Sequence, residues 1–378
     1  MPDLFPRGVA YGEAFYNRDT ERKTLKQAIE HGHHTVLVAP RRYGKTSLVR
    51  KVISENGYPY IWVDFMTFTS RQEAEEAILQ QLAQLVIEIG KTEDKVKNLA
   101  KQFLAFLKPE ITINVHSVMN IHSVMNIHFH PNFNQHDTVM NTLIAVDHIA
   151  QKTKTRAVLV FDEFQEIVGL DERNTFQASI RHAAEQAQCL TYLFSGSRHL
   201  SLRTLFTGKK NPLYELCDLL PLARVSKEYY LGYLQEKAQQ QWGHAIDVQI
   251  IEKILHYTEC YPKYVNAVCG KIWVSGLAPT KELVDVVWED LVFSRKDDIY
   301  IELSSLKLNE RKLLRLICEQ PTDKPYAIDY AAQVGLSPTS LRRALEEGLL
   351  KKEIVMVNYE TGVFSVIDPV LKAYLTRY

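Results

Sequence analysis

Ala39-Pro40-Arg41-Arg42-Tyr43-Gly44-Lys45-Thr46-Ser47 follows the apolar run Thr35-Val36-Leu37-Val38 and precedes the helix-patterned Leu48-Val49-Arg50-Lys51-Val52-Ile53. The order is a strand, a tight loop the size of a phosphate group, and a helix N-terminus. Successive backbone N–H groups of residues 41 to 47 can wrap a phosphate, and the positive end of the following helix dipole adds to the attraction. Lys45 is then expected to reach the β- and γ-phosphates of a nucleoside triphosphate, and the Thr46 hydroxyl to bind Mg²⁺. Gly44 lets the backbone approach without a Cβ in the way. The pattern departs from G-x-x-x-x-G-K-[ST] at its first position, which is Ala39. Pro40 compensates by fixing its own φ and pushing Ala39 toward an extended conformation.

A second motif agrees with the first. Ala157-Val158-Leu159-Val160-Phe161 is an apolar strand pattern that ends in Asp162-Glu163. In a P-loop ATPase the first acid holds Mg²⁺ through water and the second polarises the attacking water, roles that fall to Asp162 and Glu163. Another strand pattern, Tyr60 to Phe65, lies between the two motifs. The carboxylate strand is therefore not the next along the chain, which favours the ATPase branch with a catalytic glutamate. Leu190 to Phe194 reads as a further strand, ending in Ser195-Gly196-Ser197-Arg198-His199. Ser195, Ser197 and Arg198 are candidates to sense the γ-phosphate; the alternative is a polar turn that caps a helix from Leu200. Asp218 to Leu222 supplies a last strand. Upstream, Phe15-Tyr16 beside Arg18 either line an adenine pocket or staple the helix that follows.

Length and composition bound this reading without sharpening it. The chain has 378 residues, 46% hydrophobic, with zero formal net charge, enough for roughly two or three domains and without a global field favouring nucleic acid. Its five cysteines are odd in number and lack C-x-x-C spacing, as expected of thiols in a reducing compartment. With no signal-peptide pattern at the N-terminus and no apolar run of about 18 residues, a soluble cytoplasmic protein without membrane contact is expected.

The region from Arg71 to Leu107 is patterned as helix. From Ile111 to Phe133 that pattern gives way to period-two alternation around a duplicated hexapeptide, His116 to Ile121 followed by His122 to Ile127, read as a β-hairpin or flap. The histidines at 116, 122, 128, 130 and 136 suggest a metal site. Three owe their spacing to the duplication and no Cys or acid pair joins them, so a surface flap is the better reading. From Ser226 the chain is helical through Phe293, with Pro262 opening a helix whose N-terminus could face the nucleotide. Residues after Leu303 follow the order of a winged helix-turn-helix, ending in a hairpin about Asn358-Tyr359-Glu360-Thr361. Its recognition helix would present Ser337, Thr339, Ser340, Arg342 and Arg343. Residues 304–378 carry 11 Lys and Arg against 9 Asp and Glu, too even a balance to choose between DNA contact and packing on protein.

These motifs resemble those of prokaryotic P-loop ATPases of the STAND branch, close to AAA+ and archaeal origin-recognition proteins. The paired Arg before Gly44-Lys45-Thr46-Ser47 is the most specific element; Val160 to Phe164, Phe194 to Ser197 and Ile367 to Leu371 resemble other blocks. The resemblance implies a three-layer α/β/α parallel sheet, a helical lid and a winged helix, with boundaries at 1–225 (hairpin insertion about 110–135), 226–300 and 301–378. It implies an ATP-dependent switch that uses ATP and Mg²⁺. Pro40, Arg41, Arg42, Tyr43, Gly44, Lys45, Thr46, Ser47, Ser197, Tyr261 and Pro262 would bind nucleotide, and Thr46 and Asp162 the metal. Glu163, Lys45 and Arg198 would serve catalysis. A Gly-x-Pro motif in such lids approaches the phosphates; here it reads Cys260-Tyr261-Pro262, which implies slow or partner-stimulated turnover. Output is expected through a protein partner, self-association with an arginine such as Arg198 or Arg203 from a neighbour, or DNA contact through 301–378.

Overall fold

The computed structural model describes residues 4–90, 135–358 and 361–377. The duplicated histidine-rich hairpin, and the part of the Arg71–Leu107 helical pattern beyond residue 90, lie outside the described residues. The chain divides into two compact units. One holds Asp19–Ala39 and Leu48–Leu222; the other holds residues up to Arg18, the loop Pro40–Ser47 and the chain from Ala223 onward.

The first unit is a parallel sheet of β1 (Thr35–Val38), β2 (Tyr60–Asp64), β3 (Ala157–Asp162), β4 (Leu190–Gly196) and β5 (Asp218–Pro221), in the order β2-β3-β4-β1-β5. The central strands are apolar almost throughout because both sheet faces are covered. Side chains alternate in direction along each strand. Val36, Val38, Leu159, Phe161, Tyr192 and Phe194 therefore share one face, in a single core with α3 (Arg71–Ile89), α4 (Gln135–Lys152), α5 (Thr175–Gln186) and α6 (His199–Thr207). The intervening residues Leu37, Val158, Val160 and Leu193, fully buried, point to the other face. There α1 (Asp19–His31) contributes Leu25 and Ile29, and α2 (Lys45–Asn56) contributes Val49 and Val52. Thr191, on that same face, donates its hydroxyl to the Ile29 carbonyl of α1 at 3.3 Å. The result is the three-layer α/β/α fold of P-loop nucleoside triphosphatases.

Two buried polar side chains tie helices to β4. Asp147 accepts from the backbone N–H groups of Gln188, Cys189 and Leu190 at 2.8–3.1 Å. His34 accepts from Tyr192 N–H at 3.3 Å and donates to the Ala184 carbonyl at 2.9 Å. Burial pushes its pKa down, so it sits there as neutral imidazole.

In the second unit α7 (Lys227–Trp242), α8 (Val248–Thr258), α9 (Pro262–Ser275) and α10 (Lys281–Ser294) precede a further helix, α11 (Lys296–Ser304), not anticipated from the sequence. Then come α12 (Leu308–Glu319), α13 (Ile328–Val334) and α14 (Pro338–Arg342), which continues with π-type bonding over Arg343–Leu350. The antiparallel pair β6 (Val355–Val357) and β7 (Phe364–Val366) follows, with Val355 opposite Val366. Phe364 N–H also bonds the Thr322 carbonyl at 2.8 Å. A closing helix α15 (Pro369–Arg377) extends the segment that looked from sequence only like a family block. Among the described residues no helix is long and apolar enough to cross a membrane.

Candidate functional site: a phosphate-binding loop and a carboxylate pair

The loop leaves β1 and turns into α2 at Lys45. Two residues make the turn with positive φ, Arg42 at 63° and Gly44 at 90°. A Cβ built on Gly44 would meet nothing within 4 Å, so the glycine serves the backbone conformation and leaves open space beside it. Lys45 is buried and its ammonium donates to the Pro40 carbonyl at 2.9 Å. Arg41 and Arg42 are exposed, Thr46 is half-buried, and Ser47 is buried with its hydroxyl accepting from Ala10 N–H at 3.0 Å.

Tyr43 is 2% exposed, because the C-terminal elements close around it. Its ring meets Tyr261 edge to face at 5.0 Å, and its hydroxyl accepts from Arg224 Nε at 3.1 Å. Arg224 also binds the Glu259 carboxylate at 2.5 Å and the Ile367 carbonyl at 2.9 Å, and Lys372 reaches the other Glu259 oxygen at 2.7 Å. The Tyr43 side chain is thus a strut between the loop and the C-terminal helices. Tyr261 donates its hydroxyl to the Arg41 carbonyl at 2.6 Å, with Pro262 as the first residue of α9. Arg18 donates to the carbonyls of Tyr43 at 3.0 Å and Ala223 at 2.6 Å, and Tyr16 stacks on Tyr233 of α7.

Beside these lies Lys263, which the sequence reading overlooked. Its amine, donating to the Tyr264 hydroxyl at 2.9 Å, is pushed down to about 8 by burial and by the cations Arg295 and Arg42, against the opposing pull of Asp368. A lysine just after the proline that opens a helix was the available signal.

The carboxylates form their own cluster at the carboxyl ends of β2, β3 and β4. Asp162 accepts from Ser195 Oγ at 2.5 Å and from Glu163 N–H at 3.1 Å. Glu163 has φ 48°, and its Oε2 accepts from Ser197 N–H at 3.0 Å, Ser197 Oγ at 2.6 Å and Gln165 Nε2 at 2.7 Å. The structure therefore gathers Asp162, Glu163, Ser195 and Ser197. Arg198 turns to Glu166 at 3.6 Å. Asp64 aligns with Asp162 across β2 and β3. Burial, then Asp162 and Glu163, raise its pKa against the lowering bond from Met66 N–H. Neither Asp64 nor Gln165 stood out in sequence: the pairing of Asp64 with Asp162 across strands has no local signature, and a glutamine two residues past an acid reads as an ordinary loop residue.

Among the described residues no group of three or more His, Cys, Asp or Glu is placed to hold a metal.

A Walker-type ATPase from Pyrococcus abyssi shares the fold with a TM-score of 0.67 at 18% identity, covering 99% of each chain. The Aeropyrum pernix ORC2 protein, solved in ADPNP–ADP complexes, does so with a TM-score of 0.54 at 12% identity, covering 100% of this chain and 96% of that one. No curated protein matches the sequence. The model of a family of ATPase domains predominantly from Archaea matches residues 15–268, well over half of the chain, and the chain belongs to that family.

Proposed function

We propose that the protein is an ATP-hydrolysing switch of the STAND and AAA+ type. Lys45 and the N–H groups of 41 to 47 take the phosphates, Thr46 and Asp162 hold Mg²⁺, Glu163 orients and deprotonates the attacking water, and Ser197 keeps Glu163 in place. Magnesium, when bound, supplies charge neutralisation on the phosphate oxygens. Arg198, paired with Glu166, becomes available for catalysis once that exposed pair opens. The reading rests above all on the sheet order. The carboxylate strand β3 is separated from the loop strand β1 by β4, whose polar end bonds both acids, as a catalytic-glutamate ATPase requires.

The domain division is read as 1–225, 226–300 and 301–378, the last as a winged helix. Output runs through a protein partner or another copy in preference to DNA. Arg342 and Arg343 on the exposed helix face lie 3.5 and 3.4 Å from Glu346 and Glu347, one turn on. That leaves little uncompensated charge for phosphate neutralisation.

Phosphate release from purified protein tests the central claim. Glu163→Gln is expected to bind MgATP like the parent and lose turnover by about 10²–10⁴-fold, the range for a positioned base. Turnover equal to the parent, or loss of ATP binding in step with hydrolysis, would remove Glu163 from that role.

A further inference from the structure

Gln165 lies two residues beyond Glu163, in the helical turn Phe164–Glu166, and is 5% exposed. Its carboxamide nitrogen donates to Glu163 Oε2 at 2.7 Å and to Glu166 Oε1 at 3.2 Å. Two carboxylates on that side fix the amide orientation, since a carbonyl oxygen facing them would be repelled. The oxygen Oε1 is consequently turned into the interior, where it is buried with no hydrogen-bond partner among the described residues. A buried amide oxygen without a partner is costly to the fold.

The room for that oxygen comes from β4. A Cβ on Gly196 would stand 1.9 Å from Gln165 Oε1 and 3.1 Å from its amide carbon, so the buried amide would have to leave its place. Gly196 has no positive φ to explain it. Its missing side chain makes the space that the amide fills. Gly196 also separates Ser195 and Ser197, which bond Asp162 and Glu163 respectively.

Resting on the reading of Glu163 as the water-activating base, we propose that Gln165 is a positioning residue for it, and that Gly196 is a glycine to admit the Gln165 amide. Three donors converging on Oε2 set the rotamer and plane of the Glu163 carboxylate. They thereby set the direction in which it meets a water. Removing the one donor that comes from the same turn lets the carboxylate swing about Ser197.

The test uses near-isosteric changes in the full chain. Gln165→Met keeps the packing over Gly196 and removes the donor; it is expected to lower kcat about 10- to 100-fold, as displacement of a reacting group by about 1 Å does, with MgATP affinity within about twofold. Gln165→Glu keeps the shape and adds a like charge, which is expected to move the acidic limb of the pH–rate profile upward. Gly196→Ala is expected to lower the melting temperature, with part of the loss recovered when Gln165→Ala is added, because the colliding atoms are then gone. If Glu163→Gln abolishes turnover while Gln165→Met leaves kcat and the pH profile at parental values, the proposal is overturned and the role of Glu163 stands. If Glu163→Gln turns over normally, both fall. If Gln165→Ala restores none of the stability lost in Gly196→Ala, the assignment of Gly196 is wrong.

Discussion

At Asp64 a charge sits where the fold resists it. The carboxyl is held above its ordinary range by burial and by Asp162 and Glu163 nearby. A raised folded-state pKa means that ionisation favours the unfolded chain, so the cost is absent below the ordinary value of 3.8 and grows as pH rises through the folded value. Asp64→Asn keeps an oxygen to accept from Met66 N–H and removes the charge. In metal-free buffer it is expected to stabilise at pH 7 by roughly 0.5 kcal/mol, about 1 °C in melting temperature, discounted because the group is largely solvent-screened. The gain should shrink toward pH 4 in thermal melts; a gain independent of pH would point to packing instead. The same three acids show why Gln165 and Asp64 escaped a reading by motif. Lys45 and Glu163 announce themselves through the strand before and the loop after. Ser197, which orients Glu163, arrives from another strand, 34 residues away.

Among the elements, the turn between α8 and α9 is the most strained. Glu259 and Cys260 both take left-handed backbone, with φ 47° and 55°, at the point where related lids carry glycine. A side chain there costs about 1–2 kcal/mol, partly offset by the smaller entropy of the unfolded chain. Cys260→Gly is expected to stabilise by roughly 0.5 kcal/mol, whereas Glu259→Gly is expected to cost about 2 kcal/mol despite relieving the same strain. The difference is the Glu259 carboxylate. Burial pushes its pKa up, but Arg224 and Lys372 outweigh burial and leave it below the ordinary glutamate range. That contribution is present above the unfolded value of 4.5 and is lost as pH falls through the folded one. Denaturant midpoints for the two variants at pH 7 and pH 4 check both statements. If Glu259→Gly matched Cys260→Gly, the ion pairs would carry no stability. The sequence signals the departure only at Cys260, where the resemblance expects glycine; the left-handed backbone of Glu259 has no mark in sequence.

For the molecule as a whole, ligand linkage gives the broadest test. A nucleotide that binds only the folded chain stabilises by about 2.7 kcal/mol at a hundred times its dissociation constant. MgATP is therefore expected to raise the melting temperature by several degrees, and Lys45→Ala to remove most of that rise without lowering the melting temperature of the free protein by a comparable amount. An equal shift in Lys45→Ala would place the nucleotide elsewhere. The sheet and its order of elements were legible because parallel strands buried on both faces are apolar throughout and the helices between them are periodic. Helices α11 and α15 were not, since α11 is short and leaves Tyr300 and Ile301 exposed, and α15 begins at a proline that reads equally well as a break. Part of the loop's chemistry is likewise decided far along the chain. Tyr261 holds the Arg41 carbonyl and Arg18 holds the Tyr43 carbonyl. In a trans peptide the carbonyl and the next N–H point in opposite directions. Each clamp on a carbonyl is therefore also an aiming device, turning the amide hydrogens of Arg42 and Gly44 away from the clamping side chains. A phenol and a guanidinium thus set the direction of two peptide dipoles before any anion arrives.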